Sequence, residues 1–315
     1  MRTLIYGGGA VGLGLAGCLL KMKEEVDILA RENTRTSLQE KGLRQTGIFG
    51  EYHADPQEFG CFSCSDELSG EPYDYILVCT KSFDSPAVAQ DIADHPSLLH
   101  EQSVIILVQN GWGNADIFVE HFQEERIFNA RVITGFCRPQ SNQVEITAHV
   151  QPIHIGSLFG AGLAPIEKLC ETINQGGIPC EVAPDITRDL WAKMLFNCAL
   201  NPLGAIFNVP YGALAEQENS RRIMDEVIHE VFRVMEAAGY STHWASAADY
   251  MEAFYGTIVP LAAKHCSSTL QDIQAEKKTE IDALCGAVIR LGKEQGIAVP
   301  CNEMLYNVIR FMERR

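Results

Sequence analysis

The chain has 315 residues, of which 46 % are hydrophobic and 21 % charged, with a formal net charge of −16. That is length for two domains of ordinary size or one large α/β domain with a substantial core, and the composition is that of a soluble globular protein. The acidic balance excludes a nucleic-acid surface, which needs clustered Lys and Arg, although a local cationic pocket or helix N-terminus can still hold an anion.

The eleven cysteines are scattered, and Cys18, Cys79, Cys198 and Cys285 sit in apolar runs, so they read as buried thiols in a reducing compartment. "CFSC" at 61–64 has neither a second pair nor a nearby His, and no metal site is expected. "MRTLIYGGG" opens on a predicted strand, so no signal peptide is expected, and no apolar run reaches the roughly 18 residues needed to span a bilayer. A cytoplasmic location is expected.

In chain order, "TLIYG" (3–7) predicts a strand, followed by a small-residue helix to about Met22 and a second strand, "VDILA" (26–30). After a mixed stretch rich in Gly and turn residues come "YILVCT" (75–80) and "VIILVQN" (104–110), then "RIFNARVIT". Such continuous apolar strands suit a parallel sheet covered on both faces. Residues 136–160 predict hairpins. From about 185 helical periodicity takes over, with helices expected at 186–201, 216–238, 246–265, 267–293 and 301–313. The predicted domains are therefore 1–184, α/β, and 185–315, all helical.

"GGGAVG" carries Gly7-x-Gly9-x-x-Gly12 directly after a strand and at the start of a helix, the context a dinucleotide fingerprint requires. The first glycine permits the tight turn, the second a close approach of pyrophosphate, and the third close helix–strand packing. The second strand ends in Ala30–Arg31, with Arg35 close behind and Asp27 early in the strand. A cation there pairs with the 2′-phosphate of NADP, whereas an acid would accept the ribose hydroxyl of NAD. NADP is expected, with Glu32 the competing acid if the register slips. Two further strands end in polar residues, Thr80–Lys81 and Gln109–Asn110, where ligands of open α/β sheets bind.

"LWAKMLFNCALNP" (190–202) is an apolar helix that carries Lys193, Asn197 and Asn201 at every fourth position. At about 100° and ~1.5 Å per residue, the three fan over roughly 80° of one face and span ~12 Å. Amines and amides buried without partners are costly, so the row predicts a partner in the protein or a ligand. Pro202 is expected to end this helix. In "HCSSTLQDIQAEKKTEID", Ser268 and Asp272 are expected on one helical face, and Glu276 and Glu280 on another.

With "TKS", "QNGWG", "LWAKMLFNCALNPLGAIF", "SSTLQDIQAEKKTEID" and "GIAVPCN", these motifs resemble the ketopantoate reductases (2-dehydropantoate 2-reductases) over nearly the whole length. The resemblance implies a Rossmann domain followed by an α-helical domain, an active site in the cleft between them, and NADPH-dependent reduction of a 2-keto acid. It implies Lys193 as the catalytic lysine, with Asn110, Asn197, Asn201 and Ser268 as substrate contacts. Gly7, Gly8, Gly9, Ala10, Val11, Gly12, Arg31, Lys81, Asn110 and Glu280 are the implied cofactor contacts, and the assembly implied is a homodimer. Tyr211, His265 and Thr269 depart from the family pattern. They keep a different 2-keto acid as an alternative substrate, and a catalytically silent NADPH-sensing protein is the third reading.

Overall fold

A computed structural model describes residues 1–314. The chain divides into two compact units, Met1–Gln109 with Asn114–Ile186, and Asn110–Gly113 with Thr187–Arg315. The short segment Asn110–Gly113 therefore groups with the helical part of the chain, which a single cut near residue 184 does not anticipate.

The first unit runs β1 (Arg2–Tyr6), α1 (Ala10–Lys21), β2 (Glu25–Leu29), α2 (Glu32–Lys41), β3 (Leu43–Gly47), β4 (Tyr52–Ala54), β5 (Gly60–Phe62) and β6 (Tyr73–Val78). It continues with α3 (Ser85–Asp94), β7 (Leu99–Leu107), α4 (Asn114–Phe118), β8 (Ile127–Arg131), β9 (Thr134–Gln140), β10 (Gln143–His149), β11 (Ile153–Gly156), α5 (Ala164–Gln175) and β12 (Cys180–Val182). Eight strands form one sheet in the order β12-β11-β8-β7-β6-β1-β2-β5. From β5 to β8 all neighbours are parallel, and only β11 runs antiparallel to its neighbour β8. The chain builds outward from β1 through β2 to β5, then returns to β6 on the other side of β1. This reversal is the switch point at which such sheets bind ligands. Leu4, Ile76 and Ile105 pack in one buried cluster and Ile5, Leu77 and Ile106 in another. Successive side chains point to opposite faces and both faces are covered, so the strands read as unbroken apolar runs.

The expected hairpin is present as β9 and β10, but it belongs to a separate four-stranded sheet, β4-β3-β10-β9, in which β10 runs parallel to β3. The small residues of α1 admit this second sheet closely. A Cβ on Gly14 would lie 2.4 Å from the Phe136 ring, and one on Gly17 would lie 2.1 Å from Gln45 Oε1.

The second unit is helical: α6 (Ile186–Phe207), α7 (Tyr211–Glu216), α8 (Glu218–Ala237), α9 (Ala247–Ala253), α10 (Val259–Leu261), α11 (Ser268–Gln274), α12 (Cys285–Glu294) and α13 (Pro300–Met312). Two expectations are corrected here. Helix α6 does not stop at Pro202 but carries it internally and ends at Phe207. A proline inside a helix forfeits one backbone bond, about 3 kcal/mol, yet Leu203 and Ala205 remain buried beyond it and hold the helix on course. The single helix expected over 267–293 is instead two, α11 and α12, separated by a turn in which Glu276 adopts φ +53°. Glu276 and Glu280 therefore share no helical face; Glu276 is exposed and Glu280 buried. Between α9 and α10 the chain makes one π-helical turn, Phe254–Ile258. Among the described residues no helix is long and apolar enough to cross a membrane. All eleven cysteines are unpaired, with Cys64, Cys137 and Cys266 exposed.

Candidate functional site

In the first unit the glycine turn joins β1 to α1 at the switch point. Gly7 takes φ +120°, and a Cβ there would lie 2.9 Å from the Cys79 carbonyl carbon and the Thr80 nitrogen. Gly12 allows α1 to sit on β1, since its Cβ would lie 2.1 Å from the Gly7 oxygen and 3.0 Å from Ile5 Cγ2. Gly9 is different. A Cβ there would meet nothing nearer than the Cys79 oxygen at 4.0 Å, so packing does not explain why this residue is glycine. An unobstructed backbone at the N-cap of a twelve-residue helix fits a phosphate-bearing ligand, which the open N–H groups of the first turn, Ala10 and Val11, would meet. Gly8 packs against the end of β2, its Cβ position 2.6 Å from that of Ala30.

The end of β2 separates the charges that the sequence places there. Asp27 is already engaged, accepting from Arg2 Nη2 at 2.9 Å and from the Tyr73 hydroxyl at 2.7 Å. Arg35 faces Ser63, Glu32 and Glu67. Arg31 is exposed at the N-cap of α2 and makes no side-chain hydrogen bond or ion pair among the described residues. Lys81 follows β6 on the same end of the sheet. Nearby, Gln109 Nε2 donates to Ser85 Oγ at 2.7 Å, and Ser85 donates to Asn114 Oδ1 at 3.0 Å, tying the residues just past β7 to the starts of α3 and α4.

Sequence reasoning missed one residue of this region, Arg138. From β9 its Nη1 donates to the Gly8 carbonyl at 3.0 Å and its Nη2 to Thr34 Oγ1 at 2.8 Å. Nothing local in "CRPQSN" signals this, because the contact depends on how the second sheet folds back.

In the second unit α6 presents the polar row as the spacing predicts. Lys193 Nζ donates to Asn110 Oδ1 at 2.6 Å, and Asn110 Nδ2 donates to Glu280 Oε2 at 3.2 Å. An amide between an ammonium and a carboxylate has only one orientation that satisfies both. Asn110 is itself held firmly. Gly111, at φ +92°, lies so close to Ala283 that a Cβ would fall 2.4 Å from the Ala283 oxygen, and the Trp112 N–H donates to that oxygen at 2.9 Å. The Trp112 ring packs on Trp191 and Tyr240, each with centroids 4.8 Å away. The "NGWG" stretch thus fastens Asn110, the partner of Lys193, to the helices.

The other members of the row differ in their partners. Asn197 is only 6 % exposed, yet its amide makes no hydrogen bond within the protein among the described residues. Asn201 accepts from the Tyr211 hydroxyl at 2.6 Å through Oδ1, which leaves its Nδ2 as a donor not used in this bond. Burial raises the Tyr211 pKa, so the phenol stays neutral and donates. Desolvation lowers that of His265, whose ring centroid lies 5.4 Å from the Tyr211 ring. Of the residues singled out in the sequence, Tyr211 thus touches the last amide of the row and His265 packs on Tyr211. Ser267 caps α11 and donates to the Asn201 carbonyl at 3.1 Å, which places Ser268 at the first position of α11. The third departure, Thr269, is buried on that helix.

An α/β unit with a glycine turn open to phosphate, and a helical unit with a lysine linked through an amide to a carboxylate, define a nicotinamide-dependent oxidoreductase. The chain belongs to the ketopantoate reductase family: the model described as ketopantoate reductase PanE/ApbA matches residues 3–160, and that described as ketopantoate reductase PanE/ApbA C terminal matches 185–313. Among curated relatives, the 2-dehydropantoate 2-reductase of Aquifex aeolicus (strain VF5) is 32 % identical over 314 residues, covering 99 % of this chain and 97 % of the relative. The PanE/ApbA family ketopantoate reductase of Ralstonia eutropha JMP134 superposes with a TM-score of 0.85 at 28 % identity, covering 100 % of this chain and 99 % of the other. A D-mandelate dehydrogenase solved with NADH and anilino(oxo)acetate shares the fold, with a TM-score of 0.87 at 21 % identity over 100 % of this chain and 99 % of the other.

Proposed function

We propose that the protein reduces 2-dehydropantoate (ketopantoate) to pantoate with NADPH, a step of pantothenate biosynthesis, in the cytoplasm. The observation that carries this reading is the row Lys193–Asn110–Glu280, flanked by two amides with donors to spare. NADPH, when bound, supplies a hydride to the keto carbon. As the keto oxygen gains negative charge, the Lys193 ammonium stabilises it and donates the proton that completes the hydroxyl. Asn110 fixes the position of that ammonium, and Glu280 fixes Asn110. The amide of Asn197, the Nδ2 of Asn201 and the hydroxyl of Ser268 supply hydrogen bonds that orient the substrate's carboxylate and hydroxyl oxygens.

The cofactor assignment is supported by the open turn at Gly9, by the absence of a side-chain partner for Arg31 among the described residues, and by the commitment of Asp27 to Arg2 and Tyr73. Lys81, at the end of β6, is assigned to the same ligand. Leu261, Met304 and Phe311 are exposed on the helical unit and support assembly as a homodimer. Tyr211, locked on Asn201, favours a second reading in which a different 2-keto acid is the substrate.

Product analysis tests the proposal. One pantoate formed per NADPH consumed when ketopantoate is added is the expected result; no consumption with ketopantoate would overturn the substrate assignment.

A further inference from the structure

Arg138 is half-buried and bonded only to neutral acceptors, the Gly8 carbonyl and the Thr34 hydroxyl. No carboxylate pairs with it among the described residues. Desolvation lowers its pKa, and the one charge among the described residues that perturbs it further is another cation, Arg31. A partly desolvated guanidinium beside a second guanidinium is an unfavourable arrangement unless an anion joins them. Arg31 likewise makes no ion pair among the described residues.

The anchors of Arg138 also locate that anion. Gly8 belongs to the glycine turn, Thr34 to the first turn of α2, and the two are in contact, since a Cβ on Gly8 would lie 3.1 Å from Thr34 Cγ2. Arg138 therefore sits where the turn meets the end of β2, on the side where the adenosine ribose of a dinucleotide lies. The pyrophosphate has its own place at Gly9 and the N-terminus of α1. We infer that Arg138 and Arg31 together form a two-arginine clamp for the 2′-phosphate of NADPH, with Thr34 holding the Arg138 fork in position. This rests on the NADPH reading above and adds to it a residue contributed by the second sheet. A dianionic phosphate offers three acceptor oxygens, enough for both forks at once.

Equilibrium binding of NADPH and of NADH, with no keto acid present, tests the clamp in wild type, Arg138→Met and Arg138→Lys. Methionine keeps much of the packing volume, lysine keeps the charge without the fork, and NADH binding serves as the check on folding. The expected result is that Arg138→Met weakens NADPH by roughly 10- to 100-fold, leaves NADH unchanged, and is partly rescued in Arg138→Lys. Equal weakening of both cofactors would overturn the clamp in favour of a pyrophosphate or purely structural role. A wild-type preference for NADPH that survives Arg138→Met would overturn the clamp alone, whereas a wild type with no preference would overturn the cofactor reading with it.

Discussion

Lys193, which donates to Asn110 at 2.6 Å, is the residue on which the proposed chemistry can be tested apart from cofactor binding. Lys193→Ala is expected to lower kcat by roughly 10²- to 10⁴-fold, the range for loss of a positioned acid, while NADPH affinity measured by direct titration stays essentially unchanged. Wild-type turnover in this variant would remove the proton-donor role. Tyr211→Phe deletes the hydroxyl that fixes the Asn201 amide. A loss of about 1–2 kcal/mol in substrate binding is expected, read as a KM for the keto acid raised several-fold with kcat less affected; an unchanged KM would show that Asn201 is oriented by other means. At this scale the sequence reveals what lies on one helix. The repeat of Lys193, Asn197 and Asn201 is visible because the α-helical period brings them to one face. The link from Asn110 to Glu280 spans 170 residues and has no local signature. The same is true of Arg138 on Gly8, across 130 residues.

Among the elements, those set by local pattern are legible and those set by distant pairing are not. Strands β1, β2, β6 and β7 show in the sequence because burial on both faces makes them continuously apolar. Strand β3 pairs with β10 of a hairpin some hundred residues later and β4 pairs with β3, and both show as mixed sequence. The helical unit fails in a more instructive way: Pro202 looks like a stop, but buried Leu203 and Ala205 carry α6 past it, and Glu276 turns the chain where periodicity alone extends a helix. One cap can be tested directly. Glu230 on α8 is 1 % exposed and accepts from the Cys301 and Asn302 N–H groups, at 2.8 and 2.9 Å, and from Asn302 Nδ2 at 2.8 Å. A carboxylate at the N-terminus of α13 satisfies open donors and opposes the helix dipole. Glu230→Ala leaves those donors buried, and a loss of about 2–4 kcal/mol is expected in denaturant unfolding. A change within about 0.5 kcal/mol, that of an ordinary surface substitution, would deny the cap its role.

For the whole molecule, an α/β unit carries the glycine turn proposed to bind the dinucleotide, and a helical unit carries the lysine proposed as proton donor. Binding to the folded state alone stabilises it by mass action, about 2.7 kcal/mol at a ligand concentration 100 times Kd. NADPH at equal concentration is therefore expected to raise Tm more than NADH does; equal shifts would place the 2′-phosphate outside any specific site. Substrate identity is the least legible property of the sequence, since in the proposed reading it depends on how Tyr211, His265 and Asn201 pack together, which no local pattern encodes. The most direct measurement is kcat/KM with NADPH for ketopantoate set beside an aryl 2-keto acid and a short unbranched one. Ketopantoate is expected to give the highest value. A higher value for either competitor would contradict the substrate assigned here and move the enzyme to a different reaction on the same residues.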